Sequence, residues 1–139
     1  MKNDILGRND LSKLIHAFYA KIRANEEIGH FFNETISDWD THLEKLTDFW
    51  ESNLFGARKF SGNPVQAHVE VDKKFDHTIT PTIFGLWLNL WIETLNELFE
   101  GENAETLKFR ARKMGTVFMM FIYESRRVHH SDSTAQTSM

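Results

Sequence analysis

The stretch SGNPVQAHVEVDKKF, residues 61–75, decides how the chain is read. Asn63 followed by Pro64 is an N-cap and first helical position, because proline fixes the helical φ and its missing N–H costs nothing there. A short helix opening at Pro64 carries Val65, His68 and Val69 on one face, at i, i+3 and i+4. Beyond Val71 the residues Asp72, Lys73 and Lys74 are polar, so the helix is expected to stop near Val71. A histidine on an apolar helix face is either a core residue with a satisfied ring or a metal ligand. The helices on either side decide between them.

Upstream, Leu11, Leu14, Ile15, Phe18, Tyr19 and Ile22 recur at helical spacing after Asp10, a candidate N-cap, and the helix is expected to end by Asn25. Tyr19 lies on the inner stripe, so its hydroxyl needs a buried partner. A short turn carries Ile28, Phe31 and Phe32. A second long helix is expected from Asp38 to Phe55, with Trp39, His42, Leu43, Leu46, Phe49 and Trp50 inward and Gly56 as its C-terminal stop.

Downstream, Thr80 and Pro81 open a helix to about Phe99 that is apolar nearly all round, through Phe84, Leu86, Trp87, Leu88, Leu90, Trp91 and Leu95. Such a helix is expected to be the most buried of the domain. A last helix over 104–126 has Leu107, Ala111, Met114, Phe118, Phe121 and Ile122 on its inner face. No strand alternation or internal repeat interrupts the pattern, and the fold class is all-α. Residues 1–127 form one domain, and the polar, non-periodic segment 128–139 is expected to be a disordered tail.

Composition narrows the function. The 139 residues include twelve Phe and four Trp, a core suited to a flat aromatic guest. A net charge of −4 supplies no basic field for nucleic acid or anionic membrane. The lack of cysteine excludes disulfides, thiolate metal sites and thiol nucleophiles. No apolar run approaches the roughly 20 residues of a membrane span, and the first ten residues lack the apolar core of a signal peptide. A cytoplasmic, soluble domain is the expectation.

Seven histidines raise the question of metal. A di-iron bundle needs two Glu-x-x-His pairs, and the sequence has only Glu27 with His30. No His-Glu-x-x-His zinc motif is present. His16, His30 and His77 read as surface or boundary residues, and His129 and His130 fall in the tail. His42, His68, Tyr19 and Trp87 remain, each inward on a different helix. A polar cluster inside an aromatic core needs partners. A haem supplies a metal on one side and room for a polar ligand on the other.

The residues Phe18-Tyr19, Gly29-His30-Phe31-Phe32-Asn33, Trp39-x-x-His42, Phe49-Trp50, Asn63-Pro64 with His68, and Phe84-Gly85-Leu86-Trp87-Leu88 occur in this order over Leu11 to Tyr123. In this the chain resembles the truncated haemoglobins, most closely their third group. The Gly-Gly pairs of other groups are absent. The resemblance implies a shortened globin fold, a two-over-two helical sandwich around one haem b. It implies His68 as proximal iron ligand and Tyr19, His42 and Trp87 as distal residues. Phe32, Leu46, Phe49, Val65 and Phe75, with Trp87, are expected against the haem, and Arg58, Lys73, Lys74 and His77 are candidates for its propionates.

The function so implied is binding of oxygen and other diatomic ligands (NO, CO, cyanide), with slow oxygen release. Alternatives are nitric oxide dioxygenation or peroxidase-like chemistry, either of which needs an external reductase or other electron donor. Outside haem chemistry, the alternative is a plain helical interaction domain. No carboxylate lies within Val65 to Val69, so the second ring nitrogen of His68 is expected to bond to backbone. His42 is read either as a residue that itself reaches the iron or as a gate at the pocket mouth. The assembly is expected to be a monomer or weak dimer.

Overall fold

In the computed structural model, residues 2–137 are described, and side-chain surroundings are described through Val128. The described residues form helices and connecting turns: α1 (Arg8–Ala24), α2 (Gly29–Asn33), α3 (Trp39–Phe55), α4 (Pro64–Lys74), α5 (Pro81–Leu98) and α6 (Glu102–Thr137). Two pairs of long helices make the body. α1 lies on α3, α5 lies on α6, and the pairs meet where α1 crosses α5, while α4 packs on α6.

The α1 stripe is buried as its spacing requires: Leu11, Leu14, Ile15, Phe18, Tyr19 and Ile22 all lie inside. Asp10 is not the N-cap. The helix begins at Arg8, and the Asp10 carboxylate accepts the Leu6 N–H at 2.9 Å from within the first turn. Arg8 then clamps α1 to α3 by donating to Asp48, Glu44 and Glu51 at 2.7–3.1 Å. At the other end, Gly29 sits so close to α1 that an added Cβ would meet the backbone oxygens of Ile22 and Arg23 at 3.0 Å. Only glycine lets α2 approach there.

Side-chain caps hold the starts of α3, α4 and α5. Asp38, Asn63 and Thr80 each accept the backbone N–H three residues on, at 3.0–3.3 Å. Gly56 closes α3 in the left-handed region at φ 73°.

Two expectations change. α4 runs a turn past Val71, because Asp72 is buried rather than solvated: Arg126 donates to both its oxygens at 2.7 and 3.0 Å, and the Ile79 N–H adds a third bond. The inner face of α5 divides in two: Trp91, Thr94 and Leu95 are enclosed in the core, and the first half lines a cavity. In α6, Phe121 is half exposed, unlike its neighbour Ile122. α6 starts at Glu102, where the Asp4 carboxylate accepts from Asn103 and Ala104 at 2.9 and 3.0 Å, a cap delivered from the other end of the chain. Its backbone continues past Arg126 to Thr137, and the expectation of a disordered tail falls largely outside the described side chains. Among the described residues no helix is long and apolar enough to cross a membrane.

Candidate functional site

A cavity of about 280 Å³ opens between the two helix pairs and α4, with an overwhelmingly apolar lining. A few polar groups converge on it from different helices: Tyr19 from α1, His42 and Lys45 from α3, His68 from α4 and Trp87 from α5. Few polar groups in an apolar concavity are the usual composition of a small-molecule site.

The Tyr19 side is built from interlocked rings. Tyr19 meets Phe18 edge-on at 4.8 Å and Phe32 at 5.7 Å. Behind them Trp87, Trp91 and Trp50 stack in series, at 5.9 and 4.8 Å between centroids. Trp91 anchors the stack by donating to the Leu107 carbonyl at 3.2 Å. Burial pushes the Tyr19 phenol above its usual range, and a hydrogen bond with Trp87 pulls partly against that. An indole N–H can only donate. Trp87 can thus be only a donor toward the Tyr19 oxygen, which leaves the phenolic O–H as the group to offer the cavity.

His68 is set differently. Its Nδ1 lies 2.6 Å from the Pro64 carbonyl, one turn back on α4. A carbonyl only accepts, so Nδ1 carries the hydrogen and Nε2 holds the lone pair. Nε2 has no hydrogen-bond partner among the described residues, and the ring lies against Phe118 at 4.2 Å, nearly parallel. Burial holds the imidazole below its usual range, with the Pro64 bond acting the other way, so the ring is neutral near pH 7. The expected backbone partner is present. The nearby carboxylates are engaged elsewhere: Glu70 accepts from Gln66, and Asp72 serves Arg126 and Ile79.

Of the residues expected around the site, Tyr19, Phe32, His42, Leu46, Phe49, His68 and Trp87 line the cavity. Val65 and Phe75 do not. The arc of α4 that faces the cavity is Pro64, Ala67, His68 and Val71, at i, i+3, i+4 and i+7, which turns Val65 aside. Phe75 instead packs on Phe31 at 5.0 Å. None of Arg58, Lys73, Lys74 and His77 lines the cavity; Lys74 is tied to the Glu34 carbonyl at 2.6 Å. The cation that does line it is Lys45, which sequence reasoning missed although it lies one turn from His42. His42 is half buried, edge-on to Trp39 at 6.0 Å, and burial with the nearby Lys45 charge keeps it below its ordinary range. Among the described residues no three His, Cys, Asp or Glu side chains are grouped to hold an ion.

No protein-family model matches the chain. It is similar to the group 3 truncated hemoglobin of Campylobacter jejuni, with 27% identity over 128 residues, or 89% of this chain and 97% of that protein. A shorter match, 35% identical over 63 residues, is to a group 1 truncated hemoglobin of Tetrahymena pyriformis and covers 50% of it. The crystal structure of a group III truncated hemoglobin from Campylobacter jejuni superposes with a TM-score of 0.76 at 30% identity, covering 88% of this chain and 96% of that one. The chain belongs to the group III truncated haemoglobins. The two stacked helix pairs are their two-over-two globin fold, and membership implies a haem-binding globin.

Proposed function

We propose that the cavity takes one haem b, with His68 as the proximal ligand through Nε2, and that the chain binds oxygen and other diatomic ligands, nitric oxide, carbon monoxide and cyanide among them. The observation that carries this reading is the state of His68: a neutral ring, Nδ1 engaged by the Pro64 carbonyl, and an Nε2 lone pair without a protein partner. That is the form in which imidazole ligates a metal. The flat walls fit a porphyrin, with Phe32, Phe49 and Leu46 lining the cavity and Lys45 placed to meet a carboxylate.

Bound there, haem would supply an iron able to take up a small diatomic ligand. The chain's own residues then set what is held there. Tyr19 would donate its O–H to a ligand that gathers negative charge, with Trp87 beside it on the cavity wall as a second group that can only donate. A hydrogen bond to a charged acceptor contributes about 1.5–3 kcal/mol, which corresponds to slow release of oxygen. His42, half buried beside exposed Lys45, suits a gate at the cavity mouth.

The backbone carbonyl on Nδ1 also supports ligand binding over peroxide cleavage. A carboxylate there would make the ring more basic and a stronger electron donor, and Glu70 and Asp72 are both otherwise engaged. Turnover of nitric oxide would need an electron donor from outside the chain.

The visible spectrum of the purified protein tests the assignment. Wild type is expected to carry haem and His68→Ala to lose it on dilution, with imidazole restoring binding. A His68→Ala protein that keeps haem with an unchanged ferrous spectrum rules the ligand assignment out.

A further inference from the structure

Most of the cavity wall is helix, and the stretches that are not helix differ in how they are held. Ile28 is buried in the core, and the N–H of Gly29 beside it bonds to the Asn25 carbonyl at 2.8 Å. Thr35 and Ile36 give their N–H groups to the Phe32 carbonyl at 3.1 and 2.9 Å. Ile79 is buried, with its N–H on Asp72 and its carbonyl accepting from Arg126. The segment 57–62 joins α3 to α4 and brings Phe60 and Gly62 to the cavity. Among the described residues none of its N–H or carbonyl groups bonds to another backbone group.

Side chains anchor it instead. Ser52, on the last turn of α3, accepts from the N–H groups of Lys59 and Phe60, both at 3.2 Å. Lys59 reaches back to Glu51 at 2.8 Å, and Glu51 is itself buried and held by Arg8 at 3.1 Å. With the segment so held, the Phe60 ring stands edge-on to Phe49 at 5.1 Å. Gly62 makes room for that ring, since an added Cβ there would meet it at 3.0 Å. Neutral hydrogen bonds contribute modestly, and an ion pair through a half-exposed lysine adds little. Opening this wall breaks a few directional bonds and leaves the core intact, so it is the lowest-cost opening around the cavity.

We propose that residues 57–62 are a strap that closes the cavity, and that Ser52 is the positioning residue governing passage of a flat guest beneath it. The inference rests on the cavity taking a porphyrin, and it adds the route. The guest enters and leaves between the end of α3 and the start of α4, when Phe60 swings off Phe49. The kinetic consequence is specific. Ser52 does not line the cavity, so it holds the strap shut in the empty and the filled protein alike. Weakening it raises the open fraction of both, and uptake and release quicken together while affinity stays nearly constant. Phe60 is part of the wall itself, so losing its ring weakens affinity.

Stopped-flow uptake and release of two probes, haem and metal-free protoporphyrin IX, tests the proposal. Ser52→Ala should speed both steps about tenfold for either probe, from the loss of two neutral bonds, with the dissociation constant nearly unchanged. Ser52→Thr keeps the acceptor oxygen and should restore wild-type rates. Phe60→Ala should bind both probes more weakly. In the apoprotein, amide exchange at Lys59 and Phe60 should quicken in Ser52→Ala while the rest of α3 keeps its protection. Unchanged helix content by circular dichroism confirms that each variant folds. A wild type that takes up neither porphyrin overturns the haem reading and the strap's function with it. A wild type that takes up both, with Ser52→Ala leaving uptake unchanged, weakening affinity instead, or leaving exchange at the two amides as it was, overturns the strap alone.

Discussion

The two sides of the cavity are built from different materials. The Tyr19 side rests on rings that pack against rings, carried by α1 and α5, two long helices with stripes deep in the core. The His68 side hangs on an eleven-residue helix whose cavity face is modest and whose far end is held by one buried ion pair to α6. A helix that short is marginal alone. The first side is made rigid by burial, the second by a few directional bonds, and so they should fail differently.

The largest expected effect falls on the second side: His68→Ala should cost haem retention outright, read from the visible spectrum. Next comes the tether. Asp72→Asn breaks a buried pair by removing one partner and should destabilise the fold by about 3 kcal/mol, with faster amide exchange confined to residues 64–74. If the loss spreads evenly over α1 as well, the proposed division between the sides is wrong. Tyr19→Phe should leave stability nearly intact but raise the oxygen dissociation rate about ten- to a hundredfold, from the loss of a roughly 1.5–3 kcal/mol bond; an unchanged stopped-flow rate would remove Tyr19 from its distal role.

Acid should separate the sides more gently. Burial alone would raise the Asp72 carboxyl, yet the bonds from Arg126, His77 and the Ile79 N–H outweigh it and hold the group below its usual range. A carboxyl lower in the fold than in the unfolded chain, about 3.9, contributes fully above about pH 4, and the contribution is lost as pH falls through the lower folded value. The α4 segment should therefore loosen first in acid, an effect absent from Asp72→Asn. The smallest expected change is from Val65→Ala, which does not line the cavity and should leave the haem spectrum as it was.

Most of the fold could be read locally. The α1 stripe, the Asp38, Asn63 and Thr80 caps and the Gly56 stop rest on residues a turn or two apart, within reach of a periodicity argument. Polar positions were misread when their partners were remote. Asp72 resembled a solvated helix end because Arg126 lies 54 residues away, and the Asp4 cap on α6 comes from about 100 residues away. The site residues Tyr19, His42, His68 and Trp87 were legible as inward polar groups. Lys45 was not, since an exposed lysine on a helix looks the same whether or not a cavity opens beneath it. Val65 and Phe75 show the other limit: spacing gives a face, but the rotation of α4 about its own axis is decided by packing against α6.

The stacked indoles also have an optical consequence. Trp50 and Trp87 line the cavity, Trp91 lies between them, and Trp39 is 6.1 Å from the Tyr19 ring. Every tryptophan emitter in the chain thus stands beside the same space. A guest that absorbs where indole emits would drain their excited states by energy transfer, so the filled protein should be dark and the apoprotein bright. Ultraviolet fluorescence then counts occupied chains directly, and variants weakened at His68 can be ranked by titration even where the iron gives no spectral signal.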